Sequence, residues 1–421
     1  MNCSTMCPLP FESLALKSWL NGQIYKVYPC CNMKHDKPIT KLRDNILLDE
    51  IFFSDTFTKL RDDLKNGVKN TLCNYCWDLE DKTGHSPRLT ALKNSKSNYT
   101  SQKDKSLEIK KIDLITDENC NLRCRMCTPS SSNSLRIDVA SIVNKKLPLL
   151  ENWANNSLYY SNQDPKGTKT FFNMDDRYAD EIIALADSLE EIKFTGGEPT
   201  ISSTFWHIID NINNPNIKLH LTTNGTKFNT KLLSAIDKFN EKHFTISIDG
   251  INETYNYVRH PFTWNKLQKN IQKLCETQHN KDTSIHFCSV LTSYNILNLH
   301  YLVQYIENLS NKFNCNIQWK CIPDPHPKNS AFDVKYLPKH ILNTALNNMT
   351  QLHKTARISK NAINKCINYI SYYINNPIEY DTKLSKQKLF VKELKNLDLV
   401  RNQRYSDYLH IDLINFISEF N

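Results

Sequence analysis

The 421-residue sequence holds only 8 glycines, well under the ~7% of an average protein. A chain this sparing places each glycine where the backbone needs φ > 0 or a close approach. No uninterrupted apolar stretch reaches the ~18 residues that cross a bilayer, so no membrane partner is expected. The opening MNCSTMCPLPFESLALKSWL has no basic segment followed by an apolar one, so no secretion signal is expected and the expected location is cytoplasmic. Charge of one sign does not dominate either: 53 Lys and Arg stand against 44 Asp and Glu, a net +9. The two signs are interspersed, without a compact basic-aromatic stripe; nucleic acid binding is permitted by the charge but not favoured. Hydrophobic content of 40% with 23% charged residues excludes wholesale disorder.

What the chain does have is cysteine, 14 in all. Without an export signal a disulfide framework is not expected, and metal or redox chemistry is the better account. Half of the glycines, Gly196, Gly197, Gly225 and Gly250, fall in one stretch. From residue 107 onward, short β-type runs alternate with helical patterns. The runs are 109–116, 191–195, 217–223, 243–249, 284–291 and 315–322. Ile217, Leu219 and Leu221 alternate with Lys218, His220 and Thr222, the period of a half-buried strand. Helical patterns lie between them at 203–212, 231–239, 264–275 and 297–311. This rhythm predicts βαβ units and a mostly parallel sheet. Six units are fewer than the eight of a closed barrel, so the expected fold is α/β, a partial (β/α)6 TIM-type barrel. The expected layout is a small cysteine-rich domain over 1–90, a polar linker over 91–106, the barrel core over 107–325 and a helical C-terminal extension over 326–421. The long connection 128–180 is expected to carry helices of its own.

The glycines fall at predicted strand ends. The second strand runs into Thr195-Gly196-Gly197-Glu198-Pro199, the third ends in Thr222-Thr223-Asn224-Gly225, and the fourth in Ser247-Ile248-Asp249-Gly250. The first stops just before Asn119-Cys120-Asn121-Leu122-Arg123-Cys124-Arg125-Met126-Cys127. In parallel α/β barrels such ends share one face, where active sites are built from βα loops. Taken singly, a GG or NG pair reads as a turn and Asp249 as a helix cap. Cys120, Cys124 and Cys127 can converge on one centre. That centre is either zinc completed by a distant fourth ligand or an iron–sulfur cluster with one iron left open.

In this combination and order, C-x3-C-x2-C, GGEP, TNG and SIDG resemble the radical S-adenosylmethionine (radical SAM) superfamily over about residues 107–325. The resemblance implies that Cys120, Cys124 and Cys127 hold a 4Fe–4S cluster whose fourth iron is chelated by S-adenosylmethionine (SAM). It implies that Gly196, Gly197 and Glu198 meet the methionine amino group, and that Ser247 and Asp249 bond the ribose hydroxyls. Thr223 and Asn224 would contact the cofactor more loosely, Arg259 would neutralise its carboxylate, and Met126 would pack near adenine. The implied activity is reductive cleavage of SAM to a 5′-deoxyadenosyl radical that abstracts hydrogen from a substrate. A one-electron reductant such as flavodoxin or ferredoxin is the implied partner.

The amino-terminal cysteines resemble a second module. Cys7-Pro8-Leu9-Pro10-Phe11, Asn21-Gly22 with Tyr28-Pro29-Cys30-Cys31, and Cys73-Asn74-Tyr75-Cys76-Trp77 look like a twitch or SPASM auxiliary-cluster domain. In most relatives that module follows the barrel, and here it precedes it. By this resemblance Cys7, Cys30, Cys73 and Cys76 bind an auxiliary iron–sulfur cluster, with Cys31 the alternative to Cys30 and Cys3 an extra. Four thiolates suit zinc equally well. Cys275, Cys288, Cys315, Cys321 and Cys366 read as small apolar residues. The implied substrate is a peptide or protein. RNA or a small metabolite, and a non-catalytic zinc or iron scaffold, are the other readings.

Overall fold

Among the described residues nine strands carry the fold: β1 (Ser13–Ser18), β2 (Tyr25–Tyr28), β3 (Thr40–Lys41), β4 (Lys111–Ile115), β5 (Glu191–Thr195), β6 (Lys218–Thr223), β7 (Lys242–Ser247), β8 (Thr283–Val290) and β9 (Asn316–Ile322). The computed structural model describes residues 5–18, 25–33, 39–41, 46–95, 107–153, 165–168, 174, 176–278, 282–324 and 329–420. The architecture is α/β, with mostly parallel strands and many helices. The chain divides into two units, Met1–Glu118 with Thr170–Leu221 and Ala235–Glu241, and Asn119–Lys169 with Thr222–Ser234 and Lys242–Asn421.

In the first unit the strand order is β3-β2-β1-β4-β5-β6. β4, β5 and β6 are parallel, as expected from their alternation. Ile112 stands beside Ile192 and Leu114 beside Phe194, and all four are buried. They form the apolar face, against which Phe205 of the helix Ser203–Asn211 packs edge-on, 4.9 Å from Phe194. Burial of each such ring contributes about 1.5–3 kcal/mol. Ser202 caps that helix, accepting from the Phe205 amide. The alternate residues Asp113 and Lys193 occupy the opposite, polar face and pair at 2.7 Å. β1 lies within 1–90, where the sequence reading assigned a cysteine-rich domain and named no strand. It runs parallel to β4, with Leu14 and Leu16 beside Ile112 and Leu114. The first four residues of the expected linker 91–106 are also different, being the end of the helix Pro87–Asn94; 96–106 lie outside the described residues.

The second unit holds β7-β8-β9, parallel throughout. Phe244, Ile246, Ile285, Phe287 and Ile317 are buried. The helices Trp264–Thr277 and Leu299–Lys312 fall where helical spacing predicted them. Beyond residue 338 come four helices, Lys339–Thr355, Lys360–Asn375, Tyr380–Arg401 and Ile411–Ser418. Among the described residues no helix is long and apolar enough to cross a membrane.

Candidate functional site

The loop Cys120–Cys127 is held by short backbone bonds. Arg123 and Arg125 donate their amides to the carbonyls of His260 at 2.7 Å and Val258 at 3.0 Å. Cys120 and Cys124 are buried with Leu122 in one apolar cluster, against which Cys127, Met126 and Phe262 pack. Burial, with the Cys124 thiol beside it, pushes the Cys127 thiol up to about 12. Burial raises Cys124 too, while the Arg259 guanidinium pulls it back.

Two donors point at the sulfurs. Asn224 Nδ2 lies 3.8 Å from Cys120 Sγ, and Arg259 Nη1 lies 3.7 Å from Cys124 Sγ. Three thiolates are acceptors only and carry three negative charges, so an amide and a guanidinium aimed at them suit that charge. The residues therefore fit an iron–sulfur cluster bound through these cysteines. Arg259 is itself oriented: its Nε donates to Asp249 Oδ2 at 2.5 Å, and Asp249 Oδ1 accepts from the Val290 amide at 2.8 Å. Asp249 is fully buried. Burial opposes the charge on Arg259, but Asp249 and then Cys124 outweigh it and hold the proton above its ordinary range. Asp249 and Arg259, which the sequence reading gave separate duties toward one ligand, are thus partners of each other. Thr223 Oγ1 accepts from the Gly225 amide, and Gly225 stands at φ +75° with Leu267 and Ile246 against it. Ser247 ends β7 beside Cys288.

The Gly196-Gly197-Glu198 turn follows β5. Gly196 has φ +131°, and a Cβ there would stand 2.8 Å from the Asp117 carbonyl oxygen. Gly197 donates its amide to that same oxygen at 2.8 Å. Glycine is required here for a close backbone approach. Glu198 is fully buried and caps the short helix Pro199–Ile201, accepting from the Thr200 amide and hydroxyl at 3.2 and 2.6 Å.

The amino-terminal cysteines also converge. Cys7, Cys30, Cys73 and Cys76 line one pocket, together with Met33, Tyr75 and Arg88. Burial raises Cys7 well above its ordinary range, and the thiols of Cys30, Cys73 and Cys76 add to it. Burial likewise pushes Cys30 and Cys73 up to about 12. Cys31 is not in that lining. Its thiol donates to Asp113 and lies near Lys193 and Lys17. Of the adjacent pair, Cys30 is the one that faces the other three. Cys3 and Gly22 lie outside the described residues. Among the described residues no three His, Cys, Asp or Glu side chains gather closely enough to hold a metal ion as they stand. All thirteen described cysteines are unbridged thiols, and Cys275, Cys321 and Cys366 are buried as expected of small apolar residues.

Sequence reasoning missed Arg88, Lys17, Asp113 and Lys193. Arg88 lines the cysteine cavity, is tied to Glu80 at 2.5 Å and donates to the Met6 carbonyl. The buried Lys17 donates to the Cys31 carbonyl at 2.5 Å. The signal was present for the strand residues: Lys17, Asp113 and Lys193 sit at polar alternate positions of their strands.

Residues 114–305 match the family model of the radical SAM superfamily. That match supports a 4Fe–4S cluster and SAM as cofactors, and the first loop of the segment carries Cys120 and Cys124, both buried, and the half-buried Cys127. A GTP 3′,8-cyclase of Synechocystis is 27% identical over 169 residues, 39% of this chain and 41% of that one. This chain therefore spans about two fifths of the curated relative it matches. Among solved structures, anSMEcpe with bound AdoMet and Cp18Cys peptide has a TM-score of 0.38 and 16% identity, covering 59% of this chain and 62% of its own. Streptococcus suis SuiB bound to precursor peptide SuiA has a TM-score of 0.38 and 12% identity, covering 70% of this chain and 63% of its own.

Proposed function

We propose that this chain is a radical SAM enzyme with an auxiliary iron–sulfur cluster, acting on a peptide or protein. The observation that carries the reading is the arrangement at Cys120, Cys124 and Cys127, where Asn224 and Arg259 aim N–H donors at the two buried sulfurs, those of Cys120 and Cys124. When bound, the cluster and SAM supply one-electron cleavage of the sulfonium and a carbon radical for hydrogen abstraction. The protein's part is placement. Asp249 fixes the guanidinium of Arg259 so that a cation stands beside Cys124, suited to the cofactor carboxylate. Each Asp249 oxygen keeps a second lone pair, which with Ser247 meets the ribose hydroxyls. Gly196, Gly197 and Glu198 receive the methionine amino group, Met126 packs near adenine, and Thr223 and Asn224 complete the surroundings.

Cys7, Cys30, Cys73 and Cys76 hold the auxiliary cluster in this reading. The support for a cluster here is the likeness of this cysteine set to auxiliary-cluster modules and the pocket that all four cysteines line; four thiolates suit zinc equally well. The peptide or protein substrate follows from the likeness of this cysteine set to twitch or SPASM modules, and flavodoxin or ferredoxin is the proposed reductant. Anaerobic reconstitution tests the whole. About eight irons per chain are expected for two 4Fe–4S clusters, with 5′-deoxyadenosine formed on adding dithionite and SAM. Cys124→Ala should lose that product and about half of the iron; Cys73→Ala should lose the other half and keep the product. A colourless protein with stoichiometric zinc, or full cleavage by Cys124→Ala, overturns the reading.

A further inference from the structure

We propose that the helix Tyr380–Arg401 is a clamp on the cluster-binding loop, with Asp398 and Arg401 as positioning residues for Cys120–Cys127. The proposal rests on the assignment of that loop as the cluster site. The residues between the cysteines show it. Arg125 is fully buried. Its Nη2 donates to Asp398 Oδ1 at 2.5 Å and to Gln403 Oε1 at 2.9 Å, and its Nε donates to the Tyr257 carbonyl at 3.1 Å. The guanidinium lies 3.4 Å over the Tyr257 ring, and the Tyr257 hydroxyl donates to the same Asp398 oxygen at 2.7 Å. The other Asp398 oxygen accepts from the Tyr405 amide at 2.7 Å. Both oxygens of this carboxylate are therefore engaged, while Arg125 Nη1 is buried without a hydrogen-bond partner among the described residues, so the buried pair depends on the bonds that Nη2 and Nε make.

Three residues further along the same helix, Arg401 completes the grip. Its Nη2 donates to the Arg123 carbonyl at 2.6 Å, and its Nε and Nη2 donate to Asp138 Oδ2 at 3.1 and 2.7 Å. Arg123 in turn pairs with Asp138 Oδ1 at 2.7 Å. The far end of the loop is pinned as well: the Cys127 carbonyl accepts from Trp153 Nε1 at 2.9 Å, and buried Trp153 packs with Leu397 of the same helix. On this loop the cysteines and the arginines alternate in duty. Cys124 and Cys127 carry the sulfurs, while Arg123 and Arg125 are tied to a helix some 270 positions later in the chain. Residues 398 and 401 are three apart and share one helix face, so a single rigid element constrains both arginines.

The group also sets a charge. Arg123, Arg125 and Arg401 against Asp138 and Asp398 leave a net +1 behind the cysteines. Neutralising Asp398 raises that to +2, which favours the more negative, reduced cluster. The test uses the full chain carrying Asp398→Asn. In the metal-free protein, amide hydrogen exchange of residues 121–127 should quicken by about tenfold or more, because one partner of a buried pair is gone. In the reconstituted protein, the midpoint potential of the SAM-binding cluster should rise, a shift that simple loosening does not produce. Leu399→Ser, on the exposed side of the same helix, should change neither. If Asp398→Asn does not fold, Tyr257→Phe, which removes one hydroxyl from Asp398, carries the same exchange test. Unchanged exchange across 121–127 in the folded variant, or an unchanged potential, overturns the clamp. Wild-type protein that binds no iron at Cys120, Cys124 and Cys127 overturns instead the assignment beneath it, and the exchange result in metal-free protein stands apart from that.

Discussion

Asp249→Asn separates what a buried carboxylate does for the fold from what it does for a ligand. Asp249 is fully buried and makes two bonds, from Arg259 Nε at 2.5 Å and from the Val290 amide at 2.8 Å. An asparagine of the same shape can still accept from Val290 through its carbonyl oxygen, so what is lost is the negative charge facing Arg259. The guanidinium then stays buried with no carboxylate. Breaking a buried pair from one side costs about 3–5 kcal/mol, a large share of the ~5–15 kcal/mol that holds a domain together. Urea unfolding of the metal-free, SAM-free protein reads this directly, as a lower midpoint at unchanged slope. The double variant Asp249→Asn with Arg259→Met removes both charges and should recover most of the loss, so the two single costs should be strongly non-additive. A loss below about 1 kcal/mol in Asp249→Asn would be the value of an exposed pair and would refute the view that Asp249 orients Arg259. SAM binding cannot account for the result, because no SAM is present.

Other outcomes follow from particular contacts. Gly196→Ala should cost about 2–4 kcal/mol in thermal unfolding, since the new Cβ meets the Asp117 backbone oxygen at φ +131°. Gly84→Ala, at φ +70° with open space around it, should cost only about 1 kcal/mol. Cys30→Ser should remove auxiliary iron while Cys31→Ser keeps it, because only Cys30 lines the cavity with Cys7, Cys73 and Cys76; equal iron loss from both would refute that division. Glu393 is pushed up to about 7 by burial, which outweighs the hydrogen bond it accepts from the Glu151 amide. Its folded form therefore binds a proton that the unfolded form has released between about 4.5 and 7. This contribution to stability is full below about 4.5 and is lost as pH rises through 7. Melting temperature followed across that window should fall less steeply in Glu393→Gln than in the parent protein.

Local chemistry was legible in the sequence and long-range partnership was not. The strands from residue 107 onward announced themselves because one face of each packs on helices and the other stays polar, as Ile192 and Phe194 against Lys193 show. β1 escaped notice because SLALKS is short and sits among cysteines, and its identity as a parallel strand depends on β4, about a hundred residues later. The cysteine sets stood out in the sequence by their spacing, yet no spacing rule can choose between the adjacent Cys30 and Cys31. In the structure Cys30 lines the pocket with Cys7, Cys73 and Cys76, while Cys31 lies beside Asp113 of a strand distant in sequence. The same holds for the C-terminal helices, which carry no motif because their partners are the residues a motif leaves blank. In C-x3-C-x2-C the positions marked x include Arg123 and Arg125. A buried arginine there is costly unless some other element supplies a carboxylate, and Asp138 and Asp398 are those carboxylates. A charged residue at an x position of such a buried loop is therefore itself a signal: it requires a paired anion from elsewhere in the chain.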